Sequence, residues 1–89
     1  MFRVLFVCTG NICRSPTAEG VFQNLVQSRG LTDRISTDSA GTGSWHAGGP
    51  PDSRSQETAT NRGIDISHQR ARSVRPNDFE YFSLILAMD

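Results

Sequence analysis

The chain has 89 residues, nine acidic and nine basic side chains, and a formal charge of zero. All nine cations are arginines spread along the chain, which excludes a basic stripe tracking a nucleic-acid backbone. No apolar run approaches the length of a signal-peptide core or a membrane span. The expectation is a cytoplasmic protein with neither nucleic acid nor membrane as partner.

Residues 1–89 read as one domain, whose core hides only about 60–65% of the unfolded surface. Phe2 to Val7 is a near-continuous apolar run of the kind that forms a central parallel strand. Directly after it comes Cys8-Thr9-Gly10-Asn11-Ile12-Cys13-Arg14-Ser15, a cysteine, five intervening residues, an arginine and a hydroxyl, followed by a helix start. Ligand sites of parallel sheets lie at this end of a strand. A loop of this length can turn its N–H groups on one oxyanion while the following helix adds the positive end of its dipole. The same field favours a thiolate at Cys8, a nucleophile, with Arg14 as the fixed cation whose fork fits a phosphoryl group. Thr9, Gly10, Asn11, Ile12, Cys13 and Arg14 are the candidate phosphate-binding residues. Ser15 is placed to donate to the thiolate and to cap the next helix, with Pro16 at its first position.

From Pro16, the apolar residues Ala18, Val21, Phe22, Leu25 and Val26 recur at helical spacing, and Arg29-Gly30 supplies a stop. Arg34 to Ala40 alternates as a second strand, joined to the first by a right-handed crossover. Gly41 to Pro51 is a loop rich in Gly, Ser and Pro, with Trp45 its single large apolar group. Ser53-Arg54-Ser55-Gln56 has capping-box spacing and opens a largely solvated helix ending at Gly63. Pro76-Asn77-Asp78 makes a turn, and Ser83 to Met88 reads as a third, buried parallel strand. Asp89 marks a strand end near the site and has no assigned role.

The two cysteines do not form a disulfide scaffold, which uses several bridges. Cys13 has a redox reading, capture of an oxidised Cys8 as a disulfide, and a plainer one, filling a small apolar space. Cys8, Cys13, His46 and His68 lack the paired spacing of zinc ligands, so no metal site is expected. Asn11 suits a turn in left-handed conformation, His68 suits a structural role, and His46 a surface loop. Arg54, Arg70 and Arg72 read as solvated or ion-paired side chains.

The segment Val7 to Pro16 resembles the signature of the low-molecular-weight protein tyrosine phosphatases. The likeness continues through Ser39-Ala40-Gly41-Thr42, Trp45-His46, Asp52-Ser53-Arg54, Ser67 to Arg72 and Ile85 to Asp89. The resemblance implies a doubly wound α/β fold with a four-stranded parallel sheet in flavodoxin-like order 2-1-3-4, of which three strands fall in this chain. It implies hydrolysis of phosphotyrosine proteins or small aryl phosphates through a phosphocysteine, with no cofactor. It implies that Asn11 is stiffened by Ser15, Ser39 and His68, that Trp45 walls the entrance against the substrate ring, and that Arg54 contacts acidic substrate segments.

The family's general acid is an Asp followed by Pro, and none of Pro16, Pro50, Pro51 and Pro76 follows an aspartate. No general acid is therefore assigned here, and the chain is expected to be C-terminally truncated. Such an acid contributes about 10² to 10⁴ in rate, so activity is expected to be impaired. An unpaired edge on the third strand is expected to favour self-association. Two alternatives remain: a non-catalytic phosphate- or phosphotyrosine-binding module, and an arsenate reductase-like protein if a tail supplies further cysteines.

Overall fold

The computed structural model describes residues 1–88, so the reading of Asp89 lies outside the described residues. Strands β1 (Phe2–Cys8), β2 (Ile35–Gly41) and β3 (Leu84–Ala87) form a parallel sheet in the order β2-β1-β3. The register sets Cys8 opposite Gly41, and Val4 to Val7 opposite Leu84 to Ala87. This is the α/β parallel arrangement that the sequence pattern predicts.

β1 is central, and both of its faces are covered. Leu5 and Val7 pack with Ala40, Val74, Phe82 and Ile85. Phe6 meets Phe22 of helix α1 (Arg14–Ser28) edge to face, with ring centroids 5.8 Å apart. Burial on two sides explains why the run from Val4 to Cys8 is uniformly apolar rather than alternating. Gly20 lets α1 come close to the segment after the next helix, because a Cβ there would stand 2.5 Å from Ile66 Cγ2.

Three local expectations are corrected. β3 is not a buried strand: Leu84 and Leu86 are exposed, and only Ile85 reaches the core, because β3 is an edge paired on one side to β1. Helix α2 (Ser53–Asn61) is not capped by a Ser53–Gln56 box. Its cap is Asp52, whose carboxylate accepts from the amides of Arg54 and Ser55, while Gln56 turns back to donate to the Pro51 carbonyl. An aspartate one residue earlier wins because its charge faces the positive end of the helix. The turn at Pro76 continues into a single helical turn, α3 (Asp78–Tyr81), with Asp78 buried.

Helix α2 ends where Gly63 adopts a positive φ of 76° and the Ile64 amide returns to the Ala59 carbonyl. The Asp52 amide also donates to the Ile12 carbonyl at 2.8 Å, so the cap of α2 braces the loop between β1 and α1. Asp52→Ala is expected to lower stability by about 1 kcal/mol, read from the midpoint of urea denaturation. An unchanged midpoint would show that the Asp52 cap adds nothing to stability.

Candidate active site

β1 delivers Cys8 to the end of the sheet, and the chain then loops through Thr9 to Cys13 before α1 begins at Arg14. Cys8 is 3% exposed. Its Sγ lies 3.0 Å from Ser15 Oγ and accepts from the Asn11 amide at 3.3 Å. The loop holds its curl because Asn11 takes a left-handed φ of 58°, which asparagine tolerates better than most residues.

The Asn11 carboxamide is the hub. Its Oδ1 accepts from the Arg72 backbone amide at 2.9 Å, a group that can only donate. That fixes the orientation of the amide, so Nδ2 is the atom that donates to Ser15 Oγ at 2.8 Å and to Ser39 Oγ at 2.9 Å. With its oxygen accepting from Asn11, the Ser15 hydroxyl has its proton free for an ionised Cys8 Sγ. The other acceptor within reach, the Ala40 carbonyl, is 3.5 Å away. The relay ends in a donor aimed at sulfur.

These contacts decide the ionisation of Cys8. Burial alone would raise its pKa, but the hydrogen bonds from the Ser15 hydroxyl, the Ser15 amide and the Asn11 amide outweigh burial, with a smaller contribution from the Arg14 charge. The net shift is downward, toward thiolate. Arg14 itself is exposed at the start of α1 and contributes least of these groups to the sulfur.

Among the described residues, the backbone amides of Gly10, Ile12, Cys13 and Arg14 donate to no protein acceptor. Four donors at the start of a helix, beside an arginine, form an arrangement able to receive an anion. Gly41 makes the curl possible, because a Cβ there would stand 2.8 Å from the Thr9 carbonyl oxygen and 3.1 Å from Asn11 Cβ. The Thr42 amide donates to the Cys8 carbonyl and the Gly43 amide to the Thr9 carbonyl, which fixes the first half of the loop to the end of β2.

Several expected placements change. Ser15 is not the cap of α1: the helix starts at Arg14, its N-cap Cys13 makes no side-chain bond, and the Ser15 hydroxyl is committed to Cys8. His68 is not a partner of Asn11. Buried Ile66 anchors its segment, and the turn from Ile66 to Gln69 sends His68 outward to a polar cleft that Glu19 and Asp65 also line. Gln69 takes the inward position, with Oε1 3.5 Å from Ser39 Oγ and Nε2 donating to the Pro16 carbonyl at 3.0 Å. Cys13 is an exposed free thiol, so it fills no apolar space.

Trp45 is 67% exposed, lies across Gly43 and stands beside His46, whose ring meets Gly10. The indole therefore sits next to the loop rather than in the core. Arg14, Cys13, Arg54 and Met88 line an open cleft of about 540 Å³ beside the start of α1. Among the described residues, no three His, Cys, Asp or Glu side chains are grouped to hold a metal ion.

The family profile described as low molecular weight phosphotyrosine protein phosphatase matches residues 3–89. The chain belongs to this family. It is 48% identical over 89 residues to the low molecular weight protein-tyrosine-phosphatase YfkJ of Bacillus subtilis, covering 100% of this chain and 57% of that protein. It is 48% identical over 86 residues to the human low molecular weight phosphotyrosine protein phosphatase, covering 97% of this chain and 54% of that one. The crystal structure of an Entamoeba histolytica protein tyrosine phosphatase superposes with a TM-score of 0.96 at 44% identity, over 100% of this chain and 56% of the other. The chain thus spans about half the length of the family relatives it matches.

Ser15→Ala removes the side-chain donor to sulfur and leaves only the Ser15 and Asn11 amides and the Arg14 charge to oppose burial. Because the shift in the native protein is downward, alkylation of Cys8 is expected to persist below the ordinary thiol range and to fall off only as pH drops through the lowered value. In Ser15→Ala the midpoint is expected to rise by about one pH unit, a roughly tenfold slower reaction at pH values below both midpoints. Iodoacetamide kinetics against pH, read at Cys8 by mass spectrometry, measure it.

Proposed function

We propose that the chain carries the nucleophilic centre of a protein tyrosine phosphatase, acting on phosphotyrosine or aryl phosphate monoesters through a phosphocysteine. The observation that supports it most is Cys8 Sγ held 3.0 Å from Ser15 Oγ at the junction of β1 and α1, with four unbonded amides and Arg14 alongside. Family membership gives the same direction.

In this reading the Cys8 thiolate attacks phosphorus in line, an S–P bond forms, and the P–O bond to the aryl group breaks. The Arg14 guanidinium and the backbone amides of Gly10, Ile12, Cys13 and Arg14 hold the equatorial oxygens, where phosphoryl transfer most needs charge neutralised. Water then attacks the phosphocysteine, the S–P bond breaks, and Ser15 donates to the departing thiolate. Trp45 offers an exposed ring against which a substrate aryl group packs. None of these 89 residues is assigned to protonate the aryl oxygen. Esters with good leaving groups depend least on such an acid.

Phosphate release from an aryl phosphate is expected from the chain and is expected to vanish in Cys8→Ser. Binding of inorganic phosphate with no turnover on any ester would instead make the loop a binding module. Trp45→Ala is expected to reduce the preference for aryl over alkyl phosphates by about three- to tenfold in kcat/KM, the size of one aromatic contact. An unchanged ratio would take the indole out of substrate recognition.

A further inference from the structure

Arg72 lies far from Cys8 in sequence, yet it is the most heavily bonded side chain among the described residues. Its Nη2 and Nε meet Asp38 Oδ2 at 3.0 and 3.3 Å, and its Nη1 and Nη2 meet Asp78 Oδ2 and Oδ1 at 3.0 and 3.2 Å. Nη1 also donates to the Ser73 carbonyl. The guanidinium therefore ties β2, which carries Asp38, to the start of α3, which carries Asp78. Its own backbone amide is the group that sets the orientation of the Asn11 carboxamide.

We propose that Arg72 is a positioning residue for Cys8, its guanidinium clamped between Asp38 and Asp78 so that its backbone amide fixes Asn11 and, through Asn11, directs the Ser15 hydroxyl onto the sulfur. The proposal rests on the reading of Cys8 as the nucleophile and extends it to a clamp on the far side of β2. The chain of contacts is continuous, since no step from Arg72 N to Asn11 Oδ1, from Asn11 Nδ2 to Ser15 Oγ, or from Ser15 Oγ to Cys8 Sγ exceeds 3.0 Å.

The clamp has a direct competitor in the backbone. The Gly41 amide donates to the Arg72 carbonyl at 2.7 Å, and the Val74 amide to the Gly41 carbonyl at 2.8 Å, so the peptide is partly anchored without its side chain. Two features favour a part for the side chain. Asp78 is almost fully buried, and burial opposes its charge, yet the Arg72 guanidinium and the Arg75 amide hold its pKa below the usual carboxylate range. The Asp78 Oδ2 atom also accepts from the Arg75 amide at 2.8 Å, so the clamp grips the backbone on both sides of Val74, at the Ser73 carbonyl and the Arg75 amide. Lysine could not replace the fork, because a point charge cannot span two carboxylates with fixed geometry.

The charged groups around the relay are few. Arg14 faces Cys8 from α1, and His46 approaches the loop at Gly10. Behind Ser39, Glu19 of α1 stands near Asp38, and burial, first of all, pushes its pKa up. Arg72 is the cation that faces both Asp38 and Asp78.

The test reads the thiol, not the turnover. Iodoacetamide alkylation of Cys8 is followed against pH, without substrate, in the native chain, Arg72→Met, Arg72→Lys, and Arg72→Met with Asp78→Asn, the last leaving no buried carboxylate unpaired. The expected result is a midpoint raised by about one unit in both methionine variants, an alkylation about tenfold slower at pH values below both midpoints, with Arg72→Lys between them and the native chain. If Arg72→Met alone does not fold, the double variant gives the reading. A lowered melting temperature with the native alkylation midpoint would show that the backbone bonds suffice and would overturn the proposal. Aryl phosphate turnover by the native chain, lost in Cys8→Ser, is scored separately, so failure of the phosphatase reading and failure of the clamp give different results.

Discussion

The orientation of one carboxamide organises this end of the molecule. Asn11 sits at the turn of the loop and bonds to three separate parts of the chain: Ser15 on α1, Ser39 on β2, and the Arg72 amide. Each alone is an ordinary hydrogen bond, worth about 1 kcal/mol net. Together they leave the amide no alternative orientation, because a backbone N–H cannot accept and a flipped amide would set two donors against each other. The buried group is satisfied only in the arrangement that offers a proton to sulfur.

The rest of the fold supplies the frame for that hub. Parallel pairing places Phe6 beside Ser39 and Cys8 beside Gly41, so Cys8 and the serine that braces its loop arrive at the same end of adjacent strands. The bare Cα of Gly41 lets the loop lie against β2, where any side chain would collide with the Thr9 carbonyl. The crowding is local, and the cost of an added methyl there falls on the loop rather than on the core.

Much of this was legible in the residues. The apolar run of β1, the helical spacing of α1, and the cysteine, arginine and serine between them have short-range signals, and the structure puts those elements there with β2 and β3 on either side of β1. The support around Asn11 was legible only in part. Ser15 and Ser39 bond to it as the family resemblance implies, but His68 does not, because one residue of phase after Ile66 decides which side chain turns inward, and Gln69 does. The Arg72 clamp left no local trace: its partners stand 34 and 6 positions away, and a surface arginine in sequence looks the same as a bridging one. The exposure of β3 was hidden for a related reason, since an apolar run reports the propensity to be buried and not whether a neighbour is there to bury it.

Relative magnitudes also separate the two cationic candidates. Arg14 follows Cys8 closely in the loop but is exposed, and water screens its charge, so hydrogen bonds from Ser15 and Asn11 do more to hold the thiolate than it does. An exposed guanidinium that is little used by the sulfur keeps its donors for an incoming anion, the part the phosphatase reading gives it. Arg72 is the opposite case, a cation whose donors are consumed by Asp38, Asp78 and Ser73 and which has none to offer a ligand. The division follows from solvent access: the arginine at the open helix start stays exposed to water, and the one enclosed between β2 and α3 is tied to carboxylates on both.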